Sequence, residues 1–147
     1  MRLFVAVNLP EAVRRGLYQA TESLRRRAPP LPVKWVKGDA IHLTLKFLGD
    51  VDPKQEPDIG GALARAVAGT RTFAVGVSGF GVFPDYRRPR VLWVGVEPHP
   101  SLELLQDAVE RALTPLGFEP EGRAFRPHLT LGRAERDAKA GDWGDLE

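Results

Sequence analysis

The spacing of apolar and polar residues changes period several times along this chain. Residues 2–7 (RLFVAV) are β-branched and aromatic, alternate loosely and stop at Asn8-Leu9-Pro10, which predicts a strand. From residue 11 to about 27, Val13, Leu17 and Leu24 fall at helical spacing, and Pro29-Pro30 ends that helix. Strand patterning returns in VKWV at 33–36 and IHLTLKFL at 41–48, on either side of a Lys37-Gly38-Asp39 turn. A second helix is expected over about 57–68. TFAVGVSGFGVF at 72–83 and VLWVGV at 91–96 read as strands, and PDYRRP between them is a loop by composition. A third helix is expected over about 101–116, with Ser101 as N-cap and Gly117 just past its end. The last strand falls at about 125–132. The order β-α-β-β-α-β-β-α-β predicts an α+β fold with antiparallel hairpins rather than a doubly wound sheet.

One string occurs twice. HLTL stands at 42–45 and again at 128–131, so that His42 and His128 are 86 residues apart on strands of similar context. A duplicated lobe explains this better than chance. Successive side chains of a strand point to opposite faces. His42 and Thr44 therefore share one face and Leu43 and Leu45 the other, and the same holds for His128 and Thr130 against Leu129 and Leu131. If two lobes are related by an approximate two-fold axis, their His/Thr pairs face each other across one cleft. In-line displacement at phosphorus needs that arrangement: one group takes a proton from the attacking water while another gives one to the leaving oxygen. Histidine titrates near neutrality and suits both tasks. A threonine hydroxyl beside each imidazole can donate to a non-bridging oxygen. A single HxT on a strand would carry little weight; two on matching strands carry much more.

Composition narrows the setting. The chain has 147 residues, 43% hydrophobic, enough for one domain with a real core. Its net charge of +2 is too small to announce a nucleic-acid partner. Arginine clusters stand at Arg25, Arg26, Arg27 and at Arg87, Arg88, Arg90. The first suits a helix C-terminus; the second would favour RNA over a small nucleotide. Cysteine is absent, which excludes disulfides and thiolate metal sites. The usual metal spacings of histidine and carboxylate are missing around both motifs, so no metal site is expected. Gly76, Gly79 and Gly81 match neither a dinucleotide fingerprint nor a P-loop and read as bulges and a tight turn. His99, in EPHP, reads as a solvated loop residue. The opening apolar run is too short for a signal peptide, and no stretch reaches membrane-span length, so a soluble cytoplasmic protein is expected, with no membrane and no obligate protein partner.

These residues resemble the two-histidine (2H) phosphoesterases with paired HxTx motifs, in particular their RNA 2′,3′-cyclic phosphodiesterase branch, also called 2′-5′ RNA ligase. The likeness runs from residue 2 to about 133 and includes RLFVAVNLP, VKWVKGDAIHLTLKFLG, RPRVLWVGV and RPHLTLGR. The resemblance implies two pseudo-symmetric lobes of antiparallel sheet flanked by helices around a central cleft. It also implies no cofactor, and opening of a 2′,3′-cyclic phosphate at an RNA 3′ end to a 2′-phosphate, with 2′-5′ ligation as the reverse. It casts His42 as the acid that protonates the leaving 3′ oxygen and His128 as the base that activates water. Thr44 and Thr130 match the phosphate-holding threonines, and Phe47 and Arg133 match positions that contact the terminal nucleotide. Members of the family continue past the second motif, whereas this chain ends in the polar stretch 141–147, so a short second lobe is expected. Two other readings stand beside this one: a cyclic phosphodiesterase of small nucleotides or ADP-ribose cyclic phosphate, and a non-catalytic module that binds RNA ends.

Overall fold

The computed structural model describes residues 1–27 and 31–135. Pro29-Pro30 and the polar stretch 141–147 lie outside the described residues. The opening alternation forms β1 (Arg2–Asn8), and Pro10 leads into α1 (Glu11–Ala20). The expected single helix breaks at Thr21, and α2 (Glu22–Arg25) is one further turn. At the break the Thr21 hydroxyl donates back to the Leu17 carbonyl at 2.8 Å, the local bond by which threonine competes with helical geometry. Arg25 lies over the Tyr18 ring, 3.5 Å from its centroid, and donates to the Thr21 hydroxyl and the Tyr18 carbonyl. It is thus occupied at a helix end.

β2 (Val33–Trp35) and β3 (His42–Asp50) flank a 3₁₀ turn at Gly38–Ala40, and α3 (Glu56–Val67) follows. β4 (Val77–Phe83) is shorter than the strand expected from residue 72, and β5 (Val91–Val96) matches its expected span. α4 (Pro100–Leu113) carries a correction. Its N-cap is His99, whose Nδ1 accepts from the Ser101 N–H at 3.0 Å, and Pro100 occupies the first turn, where proline lacks only an orphan donor. His99 also stacks on Phe73, with centroids 5.0 Å apart, so it is a structural residue and not a solvated one. A 3₁₀ turn at Thr114–Leu116 ends on Gly117 at φ 96°, a left-handed stop that glycine adopts without a Cβ penalty. β6 (His128–Ala134) completes an α+β fold of six strands in an open antiparallel sheet and four helices among the described residues. None of these helices is long and apolar enough to cross a membrane.

The chain divides into two compact units. The first comprises Met1–Val7, Thr44–Gly76 and Glu97–Pro127. There β1 neighbours β3, α3 packs on α4, and the two helices bury Ile59 and Ala62 of α3 and the stripe Leu102, Val109 and Leu113 of α4. That stripe recurs at helical spacing. The same unit holds a buried ion pair, Lys46 Nζ to Glu110 Oε2 at 2.9 Å.

The second unit comprises Asn8–Leu43, Val77–Val96 and the segment from His128 onward. Its strands centre on β6, which pairs antiparallel with β5, with β2 and, at Leu43↔Leu129, with the start of β3. β4 pairs with the outer side of β5 and carries a bulge between Val77 and Phe80, where Gly79 has φ 80°. That is the backbone role expected for the glycine cluster.

Candidate active site

Both HLTL strings are strands, and both bury in the same rhythm. From His42 to Leu48 and from His128 to Ala134 the order is half-buried, buried, half-buried, buried, buried, exposed, half-buried. Leu43, Leu45, Leu129 and Leu131 lie in the core, and the histidines and threonines stand on the opposite, partly open face. This is what period-two alternation requires.

Strand register brings part of the site together within the second unit. Leu43 stands opposite Leu129 at the antiparallel bridge between β3 and β6, and His42 and His128 each directly precede one member of that pair. Directly opposite side chains of an antiparallel ladder start roughly 5 Å apart, and diagonal neighbours roughly 7–8 Å. Flanking that pair, His42 and His128 would be diagonal neighbours in a regular ladder. On the other side of β6, Gly95 stands opposite His128 and Trp93 opposite Thr130. The His128 ring meets Phe83 edge-on, with centroids 5.0 Å apart and planes at 82°, and lies 6.1 Å from Trp93.

Arg133 is five residues after His128, so plain alternation would put the two on opposite faces. A bulge corrects the parity. Leu92 pairs with Gly132 but Trp93 pairs with Thr130, so Leu131 is the extra residue of β6. Arg133 then stands opposite Val91, returns to the face of His128 and Thr130, and is exposed.

Two expected site residues belong to the first unit. Thr44 follows His42 by two positions along the same face of β3, and Phe47 is 67% exposed with its ring 6.2 Å from Phe4. Three neighbours of the motifs escaped the sequence reading. Lys46 is buried although its type is usually exposed. Phe83 and Trp93 border His128, but VLWVGV alone does not say which of its two faces joins which strand. Among the described residues, no three His, Cys, Asp or Glu side chains come together in a group that could hold a metal ion.

A family model described as LigT-like phosphoesterase matches residues 7–93 and 94–141. The chain belongs to that family. A relative from Thermotoga maritima, named RNA 2′,3′-cyclic phosphodiesterase, is 37% identical over 135 residues, covering 92% of this chain and 71% of the relative. One of the same name from Methanothermobacter thermautotrophicus is 34% identical, covering 100% of this chain and 80% of its own length. Among solved structures, a protein of Thermus thermophilus superposes with TM-score 0.75 at 32% identity, over 94% of this chain and 76% of that one. Escherichia coli LigT, crystallised with 3′-AMP, gives TM-score 0.68 at 28% identity, over 92% and 75%. The resemblance read from the paired HxTx motifs and their flanks is thereby borne out.

Proposed function

We propose that this LigT-like chain hydrolyses 2′,3′-cyclic phosphates at RNA 3′ ends to 2′-phosphates, by general acid–base catalysis between His42 and His128. The observation that supports the reading is the bridge Leu43↔Leu129, where each paired leucine directly follows one of the two histidines. The relatives named RNA 2′,3′-cyclic phosphodiesterase support the substrate class.

In this mechanism His128 takes a proton from water as the water oxygen bonds to phosphorus. His42 gives a proton to the 3′ oxygen as its bond to phosphorus breaks, and the phosphate stays on the 2′ oxygen. Thr44 and Thr130 donate to the non-bridging oxygens, whose charge grows in the transition state. Arg133 binds phosphate, and Phe47 stacks the terminal base. If a 5′ hydroxyl replaces water, the same steps make a 2′-5′ linkage, and the reverse of that ligation regenerates the cyclic end. Two imidazoles and two hydroxyls complete the proton and charge balance without a Lewis acid.

The test is turnover of an oligonucleotide ending in a 2′,3′-cyclic phosphate, with EDTA present. Activity is expected to persist under chelation, and the double variant H42A/H128A is expected to abolish it. Thr44→Ala and Thr130→Ala should each lose on the order of 10²-fold in kcat, the usual effect of removing one such donor. Turnover lost in EDTA and restored by zinc or manganese would overturn the mechanism. Faster turnover of ADP-ribose cyclic phosphate than of the oligonucleotide would move the substrate class.

A further inference from the structure

Trp93 occupies a seat that the backbone keeps empty for it. In the β4–β5 pair its partner is Gly81, and a Cβ built there would stand 2.0 Å from Cζ2 and 2.3 Å from Cη2 of the indole. Two residues on, a Cβ at Gly95 would come within 3.5 Å of the indole Cζ3. The benzo edge of Trp93 therefore lies flat against β4, where any side chain at position 81 would displace it. The indole Nε1 is buried and has no hydrogen-bond partner among the described residues. The fit over Gly81 holds the ring where it is.

The seated ring reaches the proposed base. Phe83 and Trp93 have centroids 5.1 Å apart, and both meet His128, at 5.0 and 6.1 Å. All three separations lie in the range where aromatic rings attract one another. Gly95, opposite His128, offers no side chain on that side. The aromatic corner is thus a wall against which the imidazole rests.

We propose that Trp93 is a positioning residue for His128: its indole, seated over Gly81, forms with Phe83 an aromatic corner that fixes the orientation of the imidazole. This inference rests on the base role proposed for His128. A base must aim its nitrogen at the attacking water, and misplacement by about 1 Å is enough to lose about 10²-fold.

The two sides of the contact can be altered separately. Gly81→Ala leaves every proposed catalytic side chain intact yet displaces the indole. It is expected to lower kcat by about 10- to 100-fold with little change in KM, and to move the imidazole NMR signals of His128 as the ring currents of its neighbours shift. Trp93→Leu should reproduce both effects from the other side. Trp93→Phe keeps an aromatic ring but vacates the space over Gly81, so the pair G81A/W93F should recover most of the activity that G81A alone loses.

Wild-type kcat with unmoved His128 signals in G81A would overturn the proposal. So would a G81A defect that W93F does not relieve, since that defect would be general damage to the strand pair. The imidazole signals separate this inference from the functional one. If His128→Ala proves as active as wild type, the base role fails; the G81A spectra still report whether the corner sets the ring.

Discussion

His128→Ala is expected to lose about 10²–10⁴-fold in turnover, the usual contribution of one positioned proton-transfer group, on every cyclic phosphate offered to it. His42→Ala should lose as much on the natural cyclic end but far less on a substrate whose 3′ oxygen is replaced by a good leaving group. The difference follows from what each imidazole does. A good leaving group departs without protonation, so the acid becomes dispensable, whereas water must still be deprotonated. Both residues stand on the open face of paired strands, so neither truncation removes core volume. Steady-state rates of the two variants on the two substrates decide the matter. A mirror-image pattern would exchange the roles while keeping the pair, and equal losses for His42→Ala on both substrates would mean that it does not protonate the leaving oxygen.

The largest expected effect on stability lies at Lys46. Its side chain is 2% exposed, and its ammonium donates to Glu110 Oε2 at 2.9 Å and to the Glu119 carbonyl at 2.8 Å, while Glu110 accepts further from Gln106 Nε2 at 3.1 Å. Lys46→Met leaves the Glu110 carboxylate buried beside an apolar chain. Breaking a buried pair in this way costs about 3–5 kcal/mol, a large share of the stability of a domain this size. The double variant K46M/E110L, which removes both charges and keeps the volume, should recover most of that loss. Urea unfolding midpoints of the single and double variants measure both. Equal destabilisation in the two would mean that the pair contributes through packing and not through charge.

Much of the fold was legible because period-two and helical spacing survive folding. β5 lies where the pattern placed it, and β1 and β6 lie within one and three residues of expectation, the ordinary uncertainty of element ends. The misses have local causes. The continuous helix expected to about residue 27 breaks at Thr21, where the hydroxyl bonds backward to Leu17, and apolar spacing cannot register that. Ser101 yields the cap of α4 to His99 because the imidazole Nδ1 two residues earlier accepts the N–H of Ser101 itself.

In the site, alternation along HLTL was enough to sort histidines and threonines from leucines. It could not place Arg133, because its face depends on the extra residue Leu131, and a bulge is a property of two strands rather than one. The contrast between Lys46 and Gly132, at equivalent steps of the two motifs, has the same origin. β2 lies so close at Gly132 that a Cβ would stand 2.3 Å from Val33 Cγ1, whereas the step at Lys46 opens toward Glu110 of α4. Neither neighbour adjoins its motif in sequence.

The central claim is that water attacks phosphorus and the 3′ oxygen leaves, with His42 and His128 moving the protons. An oligonucleotide ending in a 2′,3′-cyclic phosphate, turned over in ¹⁸O-labelled water with EDTA present, tests it in one measurement. The expected product carries a 2′-phosphate with one ¹⁸O from solvent. A 3′-phosphate, or an intact cyclic end after incubation with the folded protein, would contradict it.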